Sequence, residues 1–258
     1  MQTVAAAHFL PDLVTPEELA GGMVVVIDVL RASTVICHAL AAGAQAVVPT
    51  LEVEEARRIA AALPAGQAVL GGEREGLPIA RFDLGNSPAE YRSDTVGGRT
   101  VVFTTTNGTR AMNRCRSARR VLIGAFVNLS ALCEAIRSAE PEALHLLCAG
   151  TKGKITREDV LFAGAVVDRL IEAGAVDETL ASDQARISRA AWQQASGGKW
   201  PVAPATLAAE LRNSQGGRNL KAIHLERDVE DAANVDSVQV VGELSLSSWR
   251  IHRMTNAE

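Results

Sequence analysis

Several features that mark particular classes of protein are missing from this chain of 258 residues. Its longest apolar runs are too short to cross a bilayer, so we expect no membrane association. The first residues carry no basic segment followed by a long apolar run, which predicts no signal peptide. The net charge is −4, and no dense run of Lys and Arg with interleaved aromatics occurs. We therefore expect no nucleic-acid partner.

Cysteine is also scarce, with four residues in the whole chain. None of them shows CxxC spacing or a histidine at the spacing of a zinc ligand. This pattern favours reduced thiols in a cytoplasmic protein. The four are Cys37, Cys115, Cys133 and Cys148.

Aromatic residues make up only 3% of the chain, whereas hydrophobic residues make up 47%. Short Val-rich runs such as Met23 to Ile27 are typical of strands buried on both faces, and Ala-rich segments such as Val53 to Ala62 are typical of helices. Their alternation predicts an α/β fold with three α/β/α layers around a largely parallel or mixed sheet. Polar motifs follow several of the strands, so we expect these motifs to gather at one edge of the sheet.

We predict a single α/β domain over residues 1–258, because no segment has the composition of a linker. Residues 20–62 and 96–137 have similar patterns, which reflect either a duplication or repeated βα architecture. Later in the chain the pattern weakens. There we expect a loop at Ser214 to Arg218 and a strand at Val238 to Val241.

The first motif with candidate chemistry follows the strand that ends at Ile27. Asp28 is a candidate ligand for a hard cation, and Arg31 is a candidate for bidentate contact with phosphate or sulfonate. Ser33 and Thr34 lie where the next helix begins, a position suited to an anion. The alternative is an ordinary N-capping turn. Leu30 occupies the place of the second aspartate of haloacid-dehalogenase phosphatases, which excludes that class.

The stretch from Thr104 to Arg110 combines hydroxyls, an amide, a glycine and an arginine at a predicted helix start. This set suits an anion cradle, although a capping turn has a similar composition. We predict phosphate binding here. The candidate residues are Thr105, Thr106, Asn107, Gly108, Thr109 and Arg110.

A basic turn, Cys148 to Lys154, joins the predicted strand at Leu144 to Cys148 to the predicted helix at Glu158 to Ala173. Cys148 has lysine, not arginine, six residues later, which excludes a cysteine-dependent phosphatase motif, and the Gly153-Lys154 pair lacks the flanking residues of a P-loop. Cys148 is therefore either a buried structural thiol or a nucleophile. Glu158 and Asp159 are either metal ligands or favourable charges at a helix N-terminus.

Together these stretches resemble the 2-phosphosulfolactate phosphatase family. The matching pieces occur in order over about residues 20–175, roughly 60% of the chain. They are Asp28 to Thr34, Gly71 to Arg74, Phe82 to Tyr91, Thr104 to Ala111, Cys148 to Gly150, Glu158-Asp159 and Ala163-Gly164.

The resemblance implies Mg²⁺-dependent hydrolysis of 2-phosphosulfolactate to sulfolactate and phosphate, a step towards coenzyme M. On this hypothesis Asp28, Glu73 and either Glu158 or Asp159 hold Mg²⁺. Arg31 and Arg110 neutralise the phosphoryl group, and Lys152 and Lys154 hold the carboxylate or sulfonate. The nucleophile is a metal-bound water, Asp28 or Cys148.

Two alternatives to this function stay open, and a third is disfavoured. Another 2-phospho-hydroxy acid is a possible substrate, and a non-catalytic protein that binds a phosphorylated metabolite is possible as well. A nicotinamide-dependent oxidoreductase is disfavoured, because no G-x-G-x-x-G follows any strand. A homodimer is expected for this class.

Overall fold

The structure is a computed structural model that describes residues 3–255 of the chain. Within that range the chain forms ten β-strands and ten α-helices. The strands are β1 (Val4–His8), β2 (Met23–Ile27), β3 (Ala46–Thr50), β4 (Ala68–Arg74), β5 (Leu77–Pro78), β6 (Thr100–Thr104), β7 (Arg120–Gly124), β8 (Ala143–Cys148), β9 (Gly242–Ser245) and β10 (Arg250–Arg253). The helices are α1 (Ala32–Ala41), α2 (Val53–Ala62), α3 (Ser93–Val96), α4 (Gly108–Arg114), α5 (Leu129–Ala139), α6 (Arg157–Glu172), α7 (Asp183–Ser196), α8 (Pro204–Arg212), α9 (Gln215–Ala222) and α10 (Arg227–Ala232). None of these helices is long and apolar enough to cross a membrane.

Alternate side chains of β2 pack into two different hydrophobic cores, one on each face of the sheet. Val25 and Ile27 belong to the core that contains residues of α5 to α8. Val24 and Val26 belong to the core that contains residues of α1 and α4. Every residue of β2 is buried, as expected for a strand that helices cover on both sides. The predicted three-layer α/β/α fold is confirmed.

The sheet has the strand order β1-β8-β2-β7-β9-β10-β3-β6-β4-β5. Two groups of parallel strands, β1-β8-β2-β7 and β3-β6-β4, are joined by the antiparallel hairpin β9-β10. The central sheet is therefore mixed and mostly parallel.

Residues 20–62 and 96–137 both contain the order strand, helix, strand, helix. Their strands pair with each other, because β2 lies beside β7 and β3 lies beside β6. On each side of the β9-β10 hairpin, the second strand of one segment (β7 or β3) comes first. The first strand of the other segment (β2 or β6) lies next to it. A duplication and a single-domain organisation both stay predictions.

The two parallel groups run in opposite directions, because β7 is antiparallel to β9 and β3 is antiparallel to β10. In a flat sheet their carboxyl ends would lie at opposite edges. Instead, Lys152 after β8 donates its backbone N–H to Oδ1 of Asn107 after β6, at 3.1 Å. Strand twist, accumulated over ten strands, curls the sheet so that these loops meet. The expectation of one shared edge was therefore wrong, although the polar motifs do lie together.

Two expectations for the C-terminal third were also wrong. The segment from Ser214 to Arg218 begins helix α9, because the Ser214 hydroxyl caps it by accepting the Gly217 N–H. The two glycines in its first turn concealed this helix, since glycine disfavours helix interiors. Val238 to Val241 is not a strand, because its backbone bonds to Val127 and to the Asn128 side chain instead of a ladder.

Candidate functional site

A cavity of ≈ 420 Å³ opens where the loops after β2, β4, β6 and β8 meet helix α9. Many of the predicted site residues line it, namely Asp28, Arg31, Glu73, Thr105, Thr106, Asn107, Lys152 and Lys154. The remaining lining residues are Leu30, Glu75, Gly76, Asn86, Thr151, Gln215, Gly216, Asn219, Leu220, Ala222 and Ile223. The cavity thus combines acidic, basic and amide side chains in one concave space, as expected of a small-molecule site.

Asp28 lies just after β2 and is held by the first turn of α1. Its Oδ1 accepts the Ala32 N–H at 3.3 Å, and its own N–H donates to Ser33 Oγ at 3.0 Å. Burial raises the pKa of Asp28 to about 7, against the Ala32 hydrogen bond and with help from the carboxylates of Glu73 and Glu158. Asp28 is therefore able to gain or lose a proton near neutral pH.

Arg31 is fixed on the cavity wall by two hydrogen bonds. Its Nη1 donates to Oδ2 of Asp228 at 2.6 Å, and its Nη2 donates to the carbonyl oxygen of Gly76 at 2.8 Å. The side chains of Arg31 and Asp228 are each 4% exposed. The Ser87 hydroxyl lies 2.8 Å from both oxygens of Asp228. A buried, charge-assisted bond therefore holds the predicted anion-binding guanidinium.

Glu73 ties the β4-β5 turn to the loop after β6. Its Oε1 accepts the Thr106 N–H at 2.7 Å, and its Oε2 accepts the Gly76 N–H at 2.6 Å. Both carboxylate oxygens thus already bond to backbone groups. The predicted role of Glu73 as a metal ligand stays a prediction, and its observed contacts hold the two loops together.

Asp159 and Glu158, at the start of α6, differ in their contacts. Oδ1 of Asp159 accepts the Val29 N–H at 2.9 Å, and Oδ2 accepts the Gly150 N–H at 3.0 Å. Asp159 therefore braces the loops after β2 and β8. Glu158 is 1% exposed, and its Oε2 has no hydrogen-bond partner among the described residues. Burial raises the pKa of both carboxyl groups.

Ser33, Thr34 and Thr109 were predicted to bind substrate, but none of them lines the cavity. Each hydroxyl donates to a backbone carbonyl: Ser33 to Val26 at 3.2 Å, Thr34 to Val29 at 2.8 Å and Thr109 to Thr105 at 2.7 Å. These bonds satisfy the hydroxyls inside the fold. The side chains therefore shape the loops on which the cavity residues are carried.

Gly108 also has a steric role. A Cβ on this residue would lie 2.7 Å from Ala32 Cβ and 2.9 Å from Asp28 Oδ2. The absence of a side chain therefore lets the start of α4 approach Asp28. By contrast, Thr106 lines the cavity, and its buried Oγ1 has no partner among the described residues.

Cys148 does not reach the cavity that Lys152 and Lys154 line. It is 0% exposed, and burial raises the pKa of its thiol, with smaller contributions from Asp159 and Glu158. A thiolate is consequently disfavoured at this position. The geometry favours the structural interpretation of Cys148 over the nucleophilic one.

Arg110 lines a separate cavity of ≈ 340 Å³ together with Arg114, Asn113 and Pro11. Asn107 borders both cavities. Arg110, in the first turn of α4, lines the second cavity and not the first. The structure therefore does not bring Arg110 to Asp28 and Arg31 as predicted.

The site also includes residues that sequence reasoning did not assign to it. Asn86 and Ser87 lie within the stretch Phe82 to Tyr91, which matched the family pattern without a role for either residue, and Asp228 was not identified as a site residue. Gln215 and Asn219 belong to the helix that was expected to be a loop. The N-cap serine at Ser214 was the available signal for that helix.

Mg²⁺ prefers oxygen ligands and often uses only one or two carboxylates plus substrate phosphate and water. Within residues 3–255, no group of three or more His, Cys, Asp or Glu side chains is arranged to hold a metal ion. Asp28, which lines the cavity, and Glu158, whose buried Oε2 has no partner among the described residues, fit the smaller arrangement. Gly216, which lines the cavity, packs directly on the Glu158 carboxylate.

Comparison with known proteins places residues 8–246 within the family model described as 2-phosphosulpholactate phosphatase. A relative from Symbiobacterium thermophilum is 38% identical over 87% of this chain and 92% of its own length. A relative from Synechococcus sp. is 36% identical over 90% and 92% of the two chains. One from Clostridium perfringens is 32% identical over 90% of each. All three are named probable 2-phosphosulfolactate phosphatase.

Proposed function

The chain belongs to the 2-phosphosulpholactate phosphatase family, and we propose that it hydrolyses 2-phosphosulfolactate to 3-sulfolactate and phosphate with the help of Mg²⁺. One observation carries the proposal beyond family membership: a buried carboxylate and a buried guanidinium, Asp28 and Arg31, share a cavity with two lysines. This arrangement suits a substrate with several anionic groups.

The phosphate group is assigned to the part of the cavity formed by Arg31 and the loop after β6. Arg31 has five N–H donors in a planar fork, and phosphate accepts such donors well. The hydroxyl of Thr106, which has no partner within residues 3–255, is a further donor. These groups neutralise and orient the phosphoryl oxygens as negative charge develops on them.

The carboxylate and sulfonate are assigned to Lys152 and Lys154, on the turn after β8. Their ammonium groups are point charges on flexible stems and suit anions of different geometry. The Lys152 backbone is anchored by Asn107, which keeps this turn against the phosphate-binding loop. The reacting bond would thus be held between the two groups of cations.

In the reaction, a water oxygen forms the new P–O bond while the bond from phosphorus to the ester oxygen breaks. The attacking water gives up a proton as its bond to phosphorus forms. The alcohol leaves as 3-sulfolactate after it gains a proton. The burial of Cys148 argues against a mechanism in which its thiol attacks phosphorus and forms a phosphocysteine.

Asp28 and Glu158 would hold the Mg²⁺ ion, which when bound neutralises phosphoryl oxygens and lowers the pKa of water. Glu73 and Asp159 would contribute by fixing the loops around it. We further propose that the protein is cytoplasmic and that its reaction is of the type found in coenzyme M biosynthesis. The free state of all four cysteines suits a reducing compartment.

Release of inorganic phosphate from racemic 2-phosphosulfolactate and from phospholactate, each with Mg²⁺ and with EDTA, tests the proposal. We expect Mg²⁺-dependent release that is faster from the sulfonate. Release from phospholactate alone would move the substrate to another 2-phospho-hydroxy acid. No release from either ester would contradict the proposed function.

A further inference from the structure

Arg31 is supported by residues from a part of the chain far away in sequence. Asp228, on α10, is 197 positions from Arg31, and Ser87 belongs to the segment after the β4-β5 hairpin. Asp228 is 3% exposed and Ser87 is 8% exposed. Three separate segments therefore meet in one buried polar cluster behind the cavity.

Neither Asp228 nor Ser87 lines the cavity. Both oxygens of Asp228 are within hydrogen-bond distance of the Ser87 hydroxyl, and Oδ2 also accepts from Arg31. The Asp228 carboxylate thus bonds to Arg31 and Ser87 outside the cavity. Its influence on a ligand in the cavity therefore passes through Arg31.

We propose that Asp228, held in place by Ser87, is the positioning residue that sets the orientation of the Arg31 guanidinium toward the phosphate of the substrate. The inference rests on the proposed function, because it assigns Arg31 to that phosphate. It adds a role for the C-terminal third of the chain, where the sequence motifs are weakest.

The physical reason lies in the length and charge of the arginine side chain. A free arginine side chain has many rotamers, and immobilising it on binding costs entropy. Here Nη1 and Nη2 each already donate one hydrogen bond, to Asp228 and to Gly76, so the remaining N–H groups point in fixed directions. Asp228 also offsets the buried positive charge, which would be costly alone.

A double-mutant cycle separates positioning from a merely structural contribution. We expect Asp228→Ala to lower kcat/KM about 10- to 100-fold in the otherwise unchanged chain, and less than about 2-fold in an Arg31→Ala background. Equal losses in both backgrounds would overturn the inference, because Asp228 would then act independently of Arg31.

Two more conservative substitutions test the proposal if the Asp228→Ala variant does not fold. Asp228→Asn keeps an acceptor for Arg31 and a donor for Ser87, so it should retain more activity than Asp228→Ala. Ser87→Ala frees the carboxylate and should raise KM more than it lowers kcat. Wild-type values of kcat and KM in both of these variants would overturn the inference.

The matched control is Asp168→Asn, which breaks the part-buried ion pair between Asp168 and Arg189 (13% and 17% exposed) outside the cavity. It should lower thermal stability and leave kcat/KM unchanged. Calorimetric titration with inorganic phosphate gives a second readout that does not depend on turnover. A wild-type chain that releases no phosphate from any ester contradicts the proposed function. An active wild type whose Asp228 and Ser87 variants bind phosphate equally well contradicts only the positioning role.

Discussion

Gly108→Ala should impair the active site while changing stability only slightly. The new Cβ would lie 2.7 Å from Ala32 Cβ, 2.9 Å from Asp28 Oδ2 and 3.3 Å from Thr105 Oγ1. Ala32 Cβ cannot retreat, because it belongs to the backbone-fixed first residue of α1. Either the Asp28 carboxylate or the start of α4 must therefore move by several tenths of an ångström.

The stability change combines two opposing effects. Overpacking costs about 1–3 kcal/mol, whereas replacing glycine by alanine reduces the conformational entropy of the unfolded chain and contributes up to about 1 kcal/mol of stabilisation. The net loss of about 1 kcal/mol corresponds to a Tm lower by about 2–4 °C in a chain of this size. The effect on kcat/KM should be larger, about 10- to 100-fold, since small misplacements of reacting groups are costly.

The assay is phosphate release from 2-phosphosulfolactate under Mg²⁺, with thermal unfolding measured on the same samples. Gly242→Ala is the matched control. Its Cβ would lie 2.9 Å from Leu40 Cδ1 and 3.0 Å from Ile251 Cγ2, and both of these residues lie outside the cavity. It should change Tm without changing kcat/KM. A Gly108→Ala chain with kcat/KM within twofold of wild type would refute the steric reasoning.

Three further predictions concern the thiol, the acid stability and the basic turn. Cys148→Ala should keep kcat/KM within about threefold of wild type, because the burial-raised thiol pKa disfavours a nucleophilic thiolate; complete loss of activity in a folded variant would restore the nucleophile hypothesis. Burial and, to a smaller extent, the neighbouring His145 lower the pKa of His8 from 6.5 to about 4. The unfolded chain then binds a proton that the folded chain excludes, so stability should fall by about 1–2 kcal/mol, allowing for solvent screening, as pH drops from 6.5 to 4. The free energy of unfolding of His8→Asn, measured with urea at several pH values in this range, should depend less on pH than that of the wild type. An unchanged pH dependence would contradict the assignment. Lys154→Met should raise KM for 2-phosphosulfolactate about tenfold and leave that for a phosphomonoester without further acidic groups nearly unchanged; equal changes for both esters would argue against the sulfonate or carboxylate role.

Much of the framework could be predicted from local sequence patterns. The Val-rich run at β2 and the Ala-rich segment at α2 occupy the predicted positions, because strand and helix periodicities are properties of neighbouring residues. Asp28 and the loop after β6 were identified for the same reason, since polar residues that follow buried strands occur at carboxyl ends.

Which side of each loop faces the cavity could not be read from the sequence. Thr106 lines the cavity, whereas Thr109, three residues later, donates back to its own turn, and Arg110 borders a different cavity. The sequence places all three in one motif. Their directions depend on the start of α4 and on its packing against Asp28.

The sequence by itself determined the layers, most strand positions and the chemical character of the motifs, because these depend on residues close together in the chain. The tertiary structure decided how the motifs meet: the curl of a sheet whose two halves run in opposite directions, and the support of Arg31 by Asp228 from 197 positions away. Such contacts depend on the packing of the whole chain, which no local pattern encodes.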